Sequence, residues 1–343
     1  MGGEFTGPFV EMLLFIFMIG MALYIARMRS LFTAAMLFGI FSLLSAGMLT
    51  LMDAVDVAFT EAAVGAGIST VLFLGALGLT TSEEAPDSKH GWTALLIVTA
   101  TGLLLAYAAL DMPAYGDPNA PIQLHVAPHY LKDSEQEVGI PNVVTSVLAS
   151  YRGYDTFGET TVVLTAAVGA ILLLGGGVGR VGAGKGRDDE GGRRMSDTPI
   201  KMRVRETVIL RVVGKALVPF ILLFALYVQF HGDYGPGGGF QAGVIFAAGL
   251  ILHALIFGLD ALRRAIPQVV VEIGIAAGAL IYGGVGVASM VLGGEFLHYG
   301  VFDRHNPAHG QHLGILLVEF GVGITVTFVM VAIFYAFAGR SRQ

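Results

Sequence analysis

Apolar residues in this chain come in long, nearly unbroken runs rather than in the alternating or half-and-half patterns of water-soluble strands and helices. Crossing about 30 Å of hydrocarbon at about 1.5 Å per residue takes about 20 such residues. Nine stretches are long enough: Phe9 to Ala26, Leu31 to Leu51, Val57 to Thr80, Trp92 to Leu110, Glu159 to Val178, Val208 to Phe230, Phe240 to Leu259, Gln268 to Leu292 and Leu313 to Phe337. The expected fold is therefore an all-α integral membrane protein of about nine transmembrane helices. The third and seventh are rich in Gly and Ala, which suits close helix packing.

Two connections are long. Between Asp111 and Gly158, the residues Val143, Val144, Val147, Leu148 and Tyr151 recur at helical spacing just after Pro141, a good first-turn residue. They predict a short helix lying flat at the interface on the outer side. Between Gly179 and Glu206 the chain is rich in Gly, Arg and Asp with no apolar period, and reads as a flexible linker, a fusion seam with Met195 or Met202 as a former start.

Composition agrees with lipid: 55% hydrophobic and 13% charged residues with a mean hydropathy of +0.72, against roughly 25% charged in soluble domains. A net charge of −6 gives no footprint for nucleic acid. The absence of cysteine excludes disulfides, thiolate-held iron–sulfur clusters, c-type haem attachment and thiol nucleophiles. Met1 to Glu11 lacks the basic region of a secretory signal, so the first apolar run reads as a retained helix.

Lys and Arg set orientation, because short translocated loops avoid them. With nine spans, 17 of the 20 bases fall on one side, and only Lys132, Arg152 and Arg304 fall on the other. This predicts an outside N-terminus and an inside C-terminus.

Candidate chemistry is sparse. Gly179 to Gly186 approaches a phosphate-binding loop, but Gly186 stands where Ser or Thr must reach the magnesium, and no strand precedes it. Of nine histidines only His253 lies well inside a span, which argues against bis-histidine haem. His298, His305, His309 and His312 share the loop before the last helix; the last three have a spacing able to hold a metal, buffer protons or serve as plain polar loop.

Carboxylates at lipid depth are costly and are candidates by default. They are Glu61, Glu159, Glu272 and Glu319, with Lys215 as a basic counterpart; structural pairing is the alternative for each. His231 to Phe240, with Pro236 and the run Gly237, Gly238, Gly239, makes a tight outer turn. Its glycines lead directly into a helix whose free N–H groups suit an anionic partner.

Three motifs resemble the Mrp-type multisubunit Na⁺/H⁺ antiporters over nearly the whole chain. Asp56 to Gly67 is similar to the NuoJ-like module of the large A subunit. Tyr151 to Thr161, with Asn142, Val143 and Val144 upstream, resembles the next module of that subunit. His231-Gly232, Pro236 to Phe240 and Glu319 to Gly323 are similar to the B subunit. Val55 replaces a usual proline, and Asp233 stands where a second histidine often follows His-Gly.

The resemblance implies four parts: 1–85, a NuoJ-like three-helix module; 86–180, a two-helix module with the interfacial helix; 181–206, a basic Gly-rich cytoplasmic linker; and 207–343, a four-helix B-subunit-like module. It implies a cation/proton antiporter subunit of the prokaryotic cytoplasmic (inner) membrane, with no cofactor beyond transported Na⁺ and H⁺. Its partners would be other membrane subunits, including large antiporter-like ones on separate polypeptides, and the lipid bilayer, with no nucleic acid. Asp56, Glu61, Glu159, Glu272 and Glu319 would serve the ion path. The alternatives are a structural scaffold, or the same module inside a membrane-bound hydrogenase or complex I-like machine.

Overall fold

The computed structural model describes residues 6–84, 91–114, 116–175 and 208–340. The basic linker and the Gly179–Gly186 stretch lie outside them. Within them the chain is helical, apart from loops and one isolated bridge between Ser30 and Glu83.

Nine helices among the described residues are long and apolar enough to cross a membrane. They are α1 (Thr6–Ile25), α2 (Leu31–Leu51), α3 (Val55–Leu77), α4 (Gly91–Ala109), α8 (Gly153–Gly175), α9 (Val208–His231), α10 (Gly239–Phe257), α12 (Gln268–Val291) and α13 (Pro307–Arg340). All nine expected spans are present, with α13 beginning six residues earlier than the apolar run, at Pro307. Proline suits a first helical turn, where its missing N–H costs nothing.

Shorter helices fill the loops: α5 (Pro121–Leu124), α6 (Ala127–Val138), α7 (Val143–Thr145, continued by a π-helical turn over Ser146–Tyr151) and α11 (Leu259–Ala265). A 3₁₀ turn covers Tyr299–Phe302. Helix α6, set among polar residues, has no counterpart in the sequence expectation. Gly139 at φ 79° ends it.

The helix expected from Val143 is present. Asn142 caps it by accepting from the Val144 N–H at 3.0 Å. The face that is buried carries Thr145, Ser146 and Ala149, while Val144 and Leu148 of the expected apolar face are exposed. In a membrane protein apolar side chains can face lipid, and small or weakly polar ones favour helix contacts.

Helix α13 is the axis of the packed part, touching α8, α10 and α12. Small residues let the backbones meet: a Cβ on Gly243 would lie 2.7 Å from the Gly323 carbonyl oxygen, and one on Gly278 2.6 Å from that of Gly321. The buried core runs through Val244, Ile251, Val271, Tyr282, Ile315, Val326 and Val331.

Helix α3 is α-helical from Val55 to Glu61, π-helical from Ala62 to Ile68, then α-helical again. The Ser69 hydroxyl donates to the Val64 carbonyl five residues back, the spacing of a π turn. Such bulges recur at functional sites because they re-aim side chains along one face.

Candidate functional site

A cavity of about 210 Å³ lies where α3, α7, α8, α10, α12 and α13 meet. Its lining holds Asp56 and Thr60 from α3, Thr145 from α7, Thr156 and Glu159 from α8, Gly237, Gly238 and Gln241 at the start of α10, and Glu319 from α13. Apolar Phe240, Val318 and Val322 close the remainder. At about 30 Å³ per water, there is room for several waters among oxygen donors.

The turn after α9 shapes one wall. Its carbonyls are tied down from α7: the Asn142 amide donates to Gly232 O at 2.9 Å and Gly235 O at 3.0 Å, and the Thr145 hydroxyl to Gly232 O at 2.7 Å. The Asn142 N–H donates to Asp233 O at 3.1 Å. Gly238 takes φ 111° and ψ −178°, a region open essentially to glycine alone. A Cβ there would sit 3.0 Å from Glu319 Oε1.

The expected anionic partner of this glycine run is the chain's own Asp56, whose Oδ1 accepts from the Gly237 N–H at 3.4 Å. One turn along α3, the Thr60 hydroxyl donates to the Asp56 carbonyl at 3.0 Å and accepts from the Gln241 amide at 2.9 Å. Two tyrosines brace the far side: Tyr282 donates to Gly153 O at 2.7 Å and Tyr299 to Ala149 O at 3.0 Å. Burial pushes the Tyr299 hydroxyl well above the usual phenol range, so it remains a donor.

Of the five carboxylates singled out from sequence, the structure brings Asp56, Glu159 and Glu319 to one cavity. Glu159 is exposed and stands at its open side; Asp56 and Glu319 are partly buried. Glu61 lies further along α3, at the start of the π stretch and against α2: a Cβ on Gly65 would fall 2.7 Å from Glu61 Oε1 and 2.5 Å from Ser42 Oγ. Glu272 is apart from the others, exposed on α12 and paired with the Gln268 amide at 2.9 Å.

Of the turn residues, Gly237 and Gly238 line the cavity and Gly239 opens α10; His231 and Pro236 belong to the same turn. His231 ends α9, its ring stacked on Tyr227 with centroids 4.9 Å apart. A Cβ on Gly239 would collide with the Glu319 carbonyl, which fixes how closely α10 approaches α13.

The loop histidines do not converge. His309 binds Asp303 at 3.0 Å, while His312 turns the other way to Asp233 at 2.7 Å. Among the described residues no three His, Asp or Glu side chains gather around a metal position. His253 stacks on Phe257, and Lys215 is exposed near Arg211.

Sequence reasoning passed over Thr60, Gln241, Asp233 with His312, and the clamping role of Asn142. Gln241 carried a signal: it is an uncharged polar side chain in the first turn of a strongly apolar helix, where a partner is required.

Known proteins match the chain in consecutive segments. Two family models of MBH subunits, MbhD and MbhE, match residues 16–82 and 92–175, and the model of a domain related to the MnhB subunit of Na⁺/H⁺ antiporter matches 209–332. The putative antiporter subunit mnhB2 of Staphylococcus haemolyticus (strain JCSC1435) is 35% identical over 134 residues, which are 38% of this chain and 94% of that protein. Its counterpart in Staphylococcus aureus (strain Newman) is 34% identical over the same shares.

Among solved structures, a chain of the Mrp complex from Dietzia sp. DQ12-45-1b is similar with a TM-score of 0.75 and 28% identity. The match takes in 96% of this chain but only 35% of that one. A chain of the membrane-bound sulfane sulfur reductase, an archaeal respiratory membrane complex, matches with a TM-score of 0.53 and 27% identity, over 72% of this chain and 97% of that one.

Proposed function

We propose that the chain, which belongs to the MnhB-related family of Na⁺/H⁺ antiporter subunits and carries two segments matching MBH subunits D and E ahead of that domain, is a non-enzymatic subunit lining the ion path of a Na⁺/H⁺ antiporter. One observation carries the proposal. Asp56, Glu159 and Glu319 come from three different family segments and meet at one cavity lined with oxygen donors.

Such a cavity can exchange two ions. A carboxylate holds either a proton or a hard cation that prefers oxygen ligands, and neighbouring carboxylates resist carrying full charge together unless a cation or proton joins them. Na⁺ and H⁺ then compete for Asp56, Glu319 and Glu159, with the Thr60, Thr145 and Thr156 hydroxyls as further oxygen ligands. Glu61, deeper along α3 and beside the π stretch, continues the path. Exposed Glu272 is the most peripheral candidate.

The chain spans 35% of the matched Dietzia chain. Its partners would be other membrane subunits of the antiporter, joined to it in the cytoplasmic (inner) membrane. The basic linker would face the cytoplasm and the turn after α9 the outside. No cofactor is assigned; Na⁺ and H⁺ are cargo.

The test is Na⁺-dependent ΔpH exchange in everted vesicles carrying the whole complex, with blue-native gels to follow assembly. Glu319→Gln should lose exchange while the complex assembles, and Glu61→Gln should do likewise. Wild-type exchange by an assembled Glu319→Gln complex would make the chain a scaffold. The likeness to the respiratory chain favours a second reading, a redox-driven host. Iron–sulfur subunits purifying with this chain would select it.

A further inference from the structure

Asp233 and His312 form a pair that the ion path does not use. His312 Nε2 and Asp233 Oδ2 are 2.7 Å apart, with side-chain exposures of 42% for His312 and 13% for Asp233. The pair therefore runs from solvent inward. Asp233 belongs to the turn whose Gly237 and Gly238 line the cavity, and His312 lies seven residues, two helical turns, before Glu319 on one face of α13.

We propose that Asp233 and His312 are the proton entrance of the carboxylate cavity. This rests on the ion-path reading above. With Asp233 ionised, the Nε2–H of His312 must be the donor in their bond, which leaves Nδ1 as the acceptor nitrogen of the neutral ring. Nδ1 has no hydrogen-bond partner among the described residues. A proton from water binds Nδ1 and the Nε2 proton passes to Asp233 Oδ2, which leaves the neutral ring protonated on Nδ1; a ring flip then turns that N–H toward Asp233 and restores the starting arrangement. Asp233 then releases the proton through cavity water to Asp56 or Glu319.

The surrounding charges leave His312 and Asp233 to each other. On α13 itself, His309 is engaged by Asp303, from the turn before α13. On α6, His129 takes up both Asp133, at 3.0 Å, and Glu137, at 3.4 Å, while Glu135 and Lys132 stand exposed. Asp56 of α3, Glu159 of α8 and Glu319 of α13 are the charged groups of the cavity itself. The pair is also not needed as a fastener. Asn142 already ties the turn to α7, and the Ser150 hydroxyl, on the same stretch, bonds the Gln311 side chain of α13 at 2.9 Å.

The experiment measures exchange against pH in vesicles carrying the assembled complex, for wild type, His312→Gln, Glu319→Gln and the reversed pair Asp233→His with His312→Asp. His312→Gln should match wild type at acid pH and fall about tenfold or more behind it as pH rises and protons become scarce. Added imidazole should restore much of that loss, and the reversed pair should retain exchange.

An assembled His312→Gln complex with an unchanged pH profile overturns the entrance, as does a loss equal at every pH that imidazole does not relieve. If His312→Gln fails to assemble, the reversed pair decides: exchange supports the entrance, and assembly without exchange overturns it. Failure of both to assemble makes the pair a clasp and also overturns it. Glu319→Gln separates the two claims. Unchanged exchange there sinks the ion path itself, whereas lost exchange beside a flat His312→Gln response sinks only the entrance.

Discussion

Helices α10 and α13 have 56% and 61% of their apolar windows buried within the chain, whereas α1 and α4 have none. All four are long and apolar enough to cross a membrane. The difference lies in the small residues. Gly239, Gly243 and Gly323 bring α10 and α13 to backbone contact, while α4 carries Leu95, Leu96, Leu103, Leu104 and Leu105, all more than half exposed. Where lipid is as apolar as leucine, hydrophobicity alone gives two helices no reason to associate; close backbone fit does.

The comparison breaks most visibly at Gly239. Its Cβ would meet the Glu319 carbonyl, a rigid backbone atom. Overpacking commonly costs about 1–3 kcal/mol and sometimes more, and here the backbone itself has to move. Gly239→Val should therefore abolish assembled complex on blue-native gels; assembly at the wild-type level would mean that the α10–α13 seam does not set the fold.

A smaller break is expected at Asn142. Asn142→Ala leaves the Gly235 carbonyl without its side-chain donor and weakens the hold on the turn, a loss of about 1–3 kcal/mol for a buried unsatisfied group. The complex should assemble with a lower thermal midpoint. An unchanged midpoint would show that the Thr145 bond to Gly232 suffices.

The spans were legible in the sequence because lipid imposes a length and a polarity on every crossing segment, and both are local properties. Glu159 and Glu319 were legible too, since they stand in apolar runs where charge is costly, while Asp56 came only with the family resemblance. Their convergence was not, because it depends on how α3, α8 and α13 pack. The same limit hid which face of α7 packs inward: Thr145, Ser146 and Ala149 are buried, while Val144 and Leu148 are exposed. Asp233 and His312 lie 79 residues apart, and no spacing rule joins a turn to a distant helix.

The bare side sharpens the comparison. Leu104, 67% exposed on α4, makes no core contact, so Leu104→Ala should change the thermal midpoint of the isolated chain little, within about 0.5 kcal/mol of stability. If a neighbouring subunit seats on this helix, replacing Leu96, Leu103 and Leu104 together by Ala should lower the amount of that subunit retained on purification. Equal retention would leave α4 facing lipid.

The smallest effect is expected at the polar collar where α13 leaves the core. Asp303 accepts the Asn306 and His305 N–H groups at 3.1 Å each and pairs with His309, and these contacts, the Asn306 bond foremost, hold its carboxyl below the usual 3.8. A carboxyl lowered in the folded state contributes stability that is fully present above its unfolded value and lost as pH falls through its folded value. Since the group is open to solvent, only a slight local loosening should follow. Amide exchange at His305, Asn306 and His309 should quicken below the ordinary carboxylate range while core amides of α10 and α12 stay protected. If Asp303→Asn leaves the acid response of these three amides as it is in the wild type, the collar titrates through some other group, and the stability of the packed side at its exposed end does not depend on this cap.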